Sequence, residues 1–271
     1  MKPRIIIAAV SILGVILIAG LFFWLGRETR RPPKIAEKKA AKVTAPVPKA
    51  AKRAKVAIVM DDFGYNMNDL DTLFSINEPI TLSILPSLRY SKTIAEYARG
   101  RGYEVILHLP LEPHRKDVKE EADTIRSGMA DTEIVSRLAK EIESVPGASG
   151  VSNHMGSKST EDKELMAAIF RYLKNRRLYF FDSLTSEKSV CRETAEAAGL
   201  KYARRDIFLD NTDRREYIEK QLAALKRMAL RKGRAIAVCH DKKFTIAALA
   251  KMMPQMAKDG IEFVTLSDMV R

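Results

Sequence analysis

Five predicted strands end in side chains that could bind a metal ion or move a proton. The first strand is an uninterrupted apolar run over residues 56–60, and Asp61 and Asp62 follow it directly. Two adjacent carboxylates after a buried strand lose hydration and repel each other. A cation or a proton between them offsets this cost. The pair therefore predicts a metal-dependent site, with a turn acid and a helix cap as the simpler alternative.

The other four strand ends carry histidines, carboxylates and small polar residues. His108 and Glu112 follow the third predicted strand, and His240 follows the seventh. The fourth and fifth strands end in Asn153, His154, Ser157, Asp182 and Ser183. Parallel strands direct their carboxyl ends to one rim, so these groups are expected to converge there. For Glu112, Asn153, Ser157, Asp182 and Ser183 we predict substrate binding or support of the metal ligands, with hydrogen bonding within loops as the simpler alternative.

One aspartate with two histidines is a common ligand set for catalytic Zn²⁺, and it leaves a coordination position open for water. A second carboxylate beside the ligand could then accept a proton from that water. A further histidine on the opposite side of the rim could protonate a leaving group.

The elements that must position these residues alternate between strand and helix patterns from residue 56 onward. Short runs rich in branched and aromatic residues predict eight strands, separated by segments with helical apolar spacing. The predicted strands cover residues 56–61, 80–85, 103–109, 150–153, 178–182, 202–209, 235–239 and 262–266. This alternation predicts an α/β fold, a distorted (β/α) barrel of about seven parallel strands, with an open doubly wound sheet as the alternative.

The first 54 residues differ in composition from the rest of the chain. Residues 5–25 carry no charge and are long enough to span a bilayer as a single N-terminal transmembrane helix. We predict a membrane anchor over residues 1–28 rather than a cleaved signal peptide, because no cleavage motif follows the apolar run. Residues 29–54 are rich in Ala, Lys and Pro and predict a flexible tether to a domain over residues 55–271.

Positive charge is concentrated in this N-terminal arm. Residues 1–55 hold 13 Lys and Arg and two acids, so most of the net charge of +13 lies there. The nearly neutral remainder argues against nucleic acid as a partner. The basic residues that follow the apolar run would keep the domain in the cytoplasm by the positive-inside rule.

The strand-end motifs resemble those of the divergent polysaccharide deacetylase family, which is related to the NodB-type carbohydrate deacetylases. The resemblance lies in residues 59–64, 108–113, 153–157 and 181–183, and it extends over about residues 54–271. It implies a distorted barrel, a divalent metal cofactor that we expect to be Zn, and an envelope polysaccharide as the substrate. It also implies extracytoplasmic placement, which we prefer to the orientation given by the positive-inside rule. With the anchor predicted from the apolar run, the protein would be a single-pass inner-membrane protein with a periplasmic domain.

The same resemblance implies roles for individual residues. Asp61 would be the general base, and His240 would be the catalytic acid. The metal ligands would be Asp62, His108 and His154. The ordinary deacetylases supply two ligands from a His-x-x-x-His motif, whereas Glu112 takes the second place here. Either Glu112 binds the metal in place of the second histidine, or His154 supplies that ligand from the next strand, and we prefer His154.

Two functions follow as hypotheses. The first is metal-dependent hydrolysis of an N- or O-acetyl group on an envelope polysaccharide. The alternative is a catalytically weak or inactive module that binds glycan or a cell-wall partner protein, because the ligand motif is altered. A receiver-like signalling domain is disfavoured, since it needs an aspartate where His108 follows the third strand.

Overall fold

The structure, a computed structural model, describes residues 53–271, which belong to one compact unit. These residues contain a single sheet of nine parallel strands and seven α-helices. The strands are β1 (Ala54–Phe63), β2 (Thr81–Ile84), β3 (Glu104–Leu111), β4 (Gly150–Met155), β5 (Tyr179–Asp182), β6 (Tyr202–Arg204), β7 (Ile207–Phe208), β8 (Arg234–His240) and β9 (Ile261–Phe263). The helices are α1 (Leu70–Phe74), α2 (Ser91–Gly100), α3 (Asp131–Ser144), α4 (Lys163–Asn175), α5 (Cys191–Ala198), α6 (Arg215–Lys232) and α7 (Lys243–Lys258).

The sheet is curled, and its two edges nearly meet. The strand order is β6-β5-β4-β3-β2-β1-β8-β7, and β9 pairs with the beginning of β1. Although β6 and β7 lie at opposite ends of this order, only Arg205 and Asp206 separate them in the chain. Three Cα–Cα steps span at most about 11 Å, so the edges cannot lie farther apart than that.

The predicted barrel is therefore present as a curled parallel sheet whose edge strands do not pair with each other. It has nine strands rather than about seven. The single strand predicted over residues 202–209 is divided into β6 and β7, because Arg205 and Asp206 cross from one edge to the other.

Alternating side chains of β1 belong to two separate apolar clusters. Ile58 and Met60 join a large cluster that also includes helix residues, so this face lies on the outside of the sheet. Ala57 and Val59 join a small cluster built mostly from other strands, which fills the concave side. Burial on both faces explains why the run before the two acids is uninterruptedly apolar.

Within residues 53–271, no helix is both long enough and apolar enough to cross a membrane. The predicted anchor over residues 1–28 lies outside the described residues, as does almost all of the predicted tether over residues 29–54. Cys191 and Cys239 are both buried and form no disulfide in the described part of the chain.

Candidate active site

Simple alternation along β1 and β8 brings Asp61 and His240 together on the concave face of the sheet. Side chains two residues apart in a strand point to the same face. Val59 and Val238 lie in the concave cluster, so Asp61 and His240 continue that face beyond the apolar core. These two residues are also direct neighbours in the ladder between β1 and β8.

A backbone irregularity at the end of β1 turns the second acid to the same rim. The pairing of β1 with β2 shifts register between Met60 and Phe63. Asp62 has a φ of 69°, which is uncommon for a residue other than glycine. Irregularities of this kind re-aim side chains next to active sites. Both adjacent acids therefore line one pocket instead of pointing to opposite faces.

Asp62, His108 and His154 form a group that could hold a metal ion. One ligand atom from each lies within 4.8 Å of the others. Asp62 Oδ1 is 3.3 Å from His108 Nε2 and 3.1 Å from His154 Nδ1. This oxygen is buried, yet neither contact has hydrogen-bond geometry. A buried carboxylate oxygen without a hydrogen bond, beside two imidazole nitrogens, fits a shared divalent cation.

Two buried serines hold the His108 ring from behind. His108 Nδ1 is 2.8 Å from Ser152 Oγ, which is 2.7 Å from Ser83 Oγ. Ser152 is the residue opposite His108 in the ladder between β3 and β4. With Nδ1 engaged in this way, Nε2 faces Asp62. Such contacts fix the orientation and tautomer of a metal-binding histidine.

The two adjacent acids have opposite electrostatic environments. Burial raises the pKa of Asp61, and the attraction of His108 only partly offsets this effect. Burial also acts to raise the pKa of Asp62, but His108 and His154 outweigh it and hold that pKa well below its usual range. Asp62 is thus suited to remain a charged ligand, and Asp61 is suited to accept a proton.

His240 is held by a carboxylate that the sequence reasoning missed. Its Nδ1 lies 3.0 Å from Asp210 Oδ1, and its Nε2 lies 3.7 Å from Asp62 Oδ2. Asp210 is fully buried and also accepts hydrogen bonds from the His240 backbone and from Thr245 Oγ1. Burial lowers the pKa of His240, but Asp210, together with Asp62 and Asp61, outweighs this effect and raises the pKa above its ordinary value. Asp210 directly follows the strand predicted over residues 202–209, and that position was the available signal.

These groups open onto a cavity of about 340 Å³. Its lining residues are Asp61, Asp62, His108, Asn153, His154, Met155, Ser183, Thr185, Phe208 and His240. The Phe208 ring packs against His240, with 5.1 Å between the ring centroids. The cavity therefore combines a candidate metal group, a carboxylate of raised pKa and an oriented histidine.

Comparison with known proteins identifies the family. The family model described as divergent polysaccharide deacetylase matches residues 58–270. The chain belongs to this family. It is 31% identical over 219 residues to an uncharacterized protein of Haemophilus influenzae, and the match covers 81% of this chain and 78% of that protein.

Two further relatives share most of the domain. Over 205 residues, 76% of this chain, the sequence is 32% identical to the uncharacterized protein YibQ of Escherichia coli. That match covers 64% of YibQ, less than two thirds of its length. The crystal structure of the uncharacterized protein ATU2773 from Agrobacterium tumefaciens C58 is similar, with a TM-score of 0.77 and 27% identity. This similarity covers 82% of this chain and 91% of that chain.

Glu112, which occupies the altered position of the ligand motif, lies apart from the metal group. One of its carboxylate oxygens is 2.9 Å from Lys158 Nζ, and the other accepts a hydrogen bond from the Ser127 backbone. Of the two alternatives left open by the sequence, the structure places His154 beside Asp62 and gives Glu112 a partner in a neighbouring loop.

The small polar residues connect the loops around the pocket. The Asn153 side chain accepts a hydrogen bond from the Ser183 backbone, and Ser183 Oγ donates to the Asn153 carbonyl, so the ends of β4 and β5 are joined. Asp182 is fully buried, accepts a hydrogen bond from Ser189 and does not line the pocket. Ser157 accepts a hydrogen bond from a backbone amide of the loop after β3. Of these four residues, Asn153 and Ser183 reach the cavity.

Proposed function

We propose that the protein is a metal-dependent hydrolase of the carbohydrate deacetylase type that removes N- or O-acetyl groups from an envelope polysaccharide. The observation that carries this proposal is the convergence of Asp62, His108 and His154 on one rim, beside Asp61 and His240. Family membership supports an acetylated polysaccharide as the substrate class. Extracytoplasmic placement of the domain is part of the proposal; it rests on the family and on the substrate class, and it runs against the distribution of basic residues in the N-terminal arm.

A divalent cation, with Zn²⁺ as the expected ion, would be held by Asp62, His108 and His154. One carboxylate and two imidazoles form a ligand set that Zn²⁺ takes in catalytic sites. When bound, such an ion acts as a Lewis acid on a carbonyl oxygen and makes water more acidic.

The protein's own residues would move the protons. Asp61 would accept a proton from the attacking water, a role that its raised pKa favours. His240 would donate a proton from Nε2 to the leaving nitrogen or oxygen, while Asp210 holds Nδ1 and keeps the ring aimed into the pocket. General acid–base groups of this kind typically contribute about 10²- to 10⁴-fold to the rate.

Three exposed large hydrophobic side chains lie in chain segments that directly follow pocket residues. Within the described residues, the exposed large hydrophobic side chains are Tyr65, Met67, Val135, Leu230 and Phe244. Tyr65, Met67 and Phe244 lie in the segments that follow Asp62 and His240. Aromatic and apolar side chains in these segments would be available to pack on the apolar faces of sugar rings, which is compatible with a glycan as the substrate.

The test measures zinc content and acetate release with the full chain on acetylated chito-oligosaccharides and peptidoglycan. We expect one zinc ion per chain and release of acetate. Asp62→Asn should abolish both, whereas Asp61→Asn should retain zinc and release acetate at least about 100-fold more slowly. His114→Gln is the matched control, because His114 does not line the pocket.

Absence of zinc binding together with absence of acetate release from every glycan would overturn the proposal. Binding of the same glycans that persists in Asp61→Asn and after chelation, without acetate release by the unaltered protein, would establish the binding module instead.

A further inference from the structure

A second cavity lies at the other end of the strands, where the edges of the curled sheet fail to pair. It has a volume of about 500 Å³ and lies between β6 and the start of β8. Arg234, which lines it, begins β8, whereas His240 ends that strand, and six residues of strand span about 20 Å. The cavity is therefore separate from the candidate active site.

The cavity exists because β7 fills the gap between the sheet edges only near the carboxyl end of β8, where it pairs with Ala237 and Val238. Nearer the start of β8, Arg271 exchanges two backbone hydrogen bonds with Tyr202, at 2.9 and 3.1 Å, and so partly fills the gap. Leu200, Ala203, Ile236 and Met269 give the cavity an apolar wall. The remaining lining is mostly positively charged.

Four arginines line this space and have no acidic partner among residues 53–271. They are Arg192, Arg204, Arg234 and Arg271. No ion pair of the described residues includes any of them. Two acids, Glu196 and Asp206, also line the cavity, and Asp206 already contacts Lys232 and accepts a hydrogen bond from the Ile236 backbone. The cavity therefore has an excess of positive charge.

Two of the arginines lie close enough to repel each other. Arg234 is half-buried and donates a hydrogen bond to the Met269 carbonyl. Burial lowers the pKa of Arg234, the charge of Arg271 lowers it further, and the attraction of Asp206 offsets only part of this decrease. A guanidinium group does not lose its proton in proteins, so proton release cannot relieve this repulsion. A bound anion would relieve it.

We infer that this cavity binds a phosphate-bearing ligand. Guanidinium groups offer paired donors that match phosphate oxygens, and such charge-assisted bonds are the strong ones. A volume of about 500 Å³ is within the usual range for small-molecule sites and exceeds what one phosphate needs. The apolar wall could contact the organic part of a phosphate ester.

The basic surface continues beyond the cavity toward the start of the domain. An adjoining cavity of about 560 Å³ shares Arg234 and Arg271 and adds three basic residues, against two acids; the added charged residues are Arg53, Lys55, Lys232, Glu262 and Asp268. The phosphate group could therefore belong to a soluble ester or to a phospholipid headgroup. The experiment distinguishes these two sources.

The test titrates the full chain, held in an uncharged detergent, with inorganic phosphate and separately with dihexanoyl phosphatidylglycerol, using calorimetry. We expect saturable binding with one site per chain. Arg204→Gln and Arg271→Gln should each weaken it at least about 10-fold, the usual effect of losing a hydrogen bond between charged groups. A lipid that binds at least about 10-fold more tightly than phosphate identifies a headgroup, and equal affinities identify a soluble ester.

Arg231→Gln is the matched control, because Arg231 is exposed at the end of α6 and lines neither cavity. It removes the same charge and should leave affinity unchanged. Far-UV circular dichroism checks the fold of each variant. If a glutamine variant unfolds, the lysine variant at the same position, Arg204→Lys or Arg271→Lys, replaces it. The inference is wrong if neither probe binds up to about 10 mM, or if the cavity variants bind like Arg231→Gln.

Discussion

Glu141 in α3 is a buried carboxyl group whose two oxygens have no hydrogen-bond partner. Burial raises its pKa to about 8, and the nearby charge of Asp123 adds to this effect. In the unfolded chain the pKa returns to its ordinary value of about 4.5. Between these two values the folded protein keeps a proton that the unfolded chain releases. Stability that is fully present below about pH 4.5 is therefore lost as the pH rises toward 8.

The difference between the pKa of Glu141 in the folded protein and in the unfolded chain sets the size of the effect of Glu141→Gln. Each unit of pKa difference corresponds to about 1.4 kcal/mol, so ionisation of Glu141 lowers the free energy of unfolding by about 3 kcal/mol at pH 7 and about 5 kcal/mol at pH 9. Glutamine has the same shape but cannot ionise. The variant should match the unaltered protein near pH 4.5 and exceed its stability by these amounts at higher pH.

Urea unfolding followed by far-UV circular dichroism, from about pH 5 to pH 9, measures this difference directly. Glu143→Gln is the control, because Glu143 is exposed on the same helix and should show no such trend. A stability gap that stays constant across the pH range would refute the reasoning, since it would mean that the folded protein does not disfavour the charged form of Glu141.

Three further predictions concern the groups around the candidate metal site. Ser152→Ala removes the hydroxyl that holds His108 Nδ1 and should weaken zinc binding about 10- to 100-fold in a competition assay with a chelator. Asp210→Asn removes the charge that orients His240 and should lower kcat for acetate release about 100-fold while zinc affinity is unchanged. Gly156→Ala should lower the free energy of unfolding by about 2 kcal/mol or more, measured with urea, because Gly156 has a φ of +83° and an added Cβ would meet a neighbouring Cβ at 2.7 Å.

Each of these predictions has its own control or contrary outcome. Gly128 has a similar φ of +84° but open space around it, so Gly128→Ala should cost only the backbone strain of about 1 kcal/mol. Equal losses of unfolding free energy in Gly156→Ala and Gly128→Ala would show that the close contact with Leu111 does not require glycine at position 156. Unchanged zinc affinity in Ser152→Ala would show that this hydroxyl does not support metal binding. An unchanged kcat in Asp210→Asn would show that the buried carboxylate does not assist His240.

The meeting of the strand ends that carry Asp61, His108, His154 and His240 could be predicted because it needs only strand positions and strand direction, whereas the turn of Asp62 to the same rim depends on the register shift between β1 and β2. Apolar runs mark the strands, and the helices between them make the sheet parallel. Parallel strands then end at one rim. The meeting of these strand ends therefore follows from local patterns without knowledge of any long-range contact.

Other features depend on contacts that no local pattern shows. Residues 202–209 have the composition of one strand, and only the meeting of the two sheet edges divides them at Arg205 and Asp206. Ser152 is one small residue in a buried strand until the register of β3 and β4 places it opposite His108. Glu112 lies just beyond the end of β3, where Lys158 reaches it from the next loop.

The strand that carries the two acids is also the strand by which the chain enters the domain. β1 pairs with β8 along one edge, from Lys55 to Asp61, and with β9 and then β2 along the other. A mechanical pull on residue 53 acts along this strand, so it loads the three parallel ladders in shear. Their hydrogen bonds must then break together rather than in sequence. Tension on the N-terminal arm would be resisted by the same element that fixes Asp61 and Asp62, and those two residues would be among the last to be displaced.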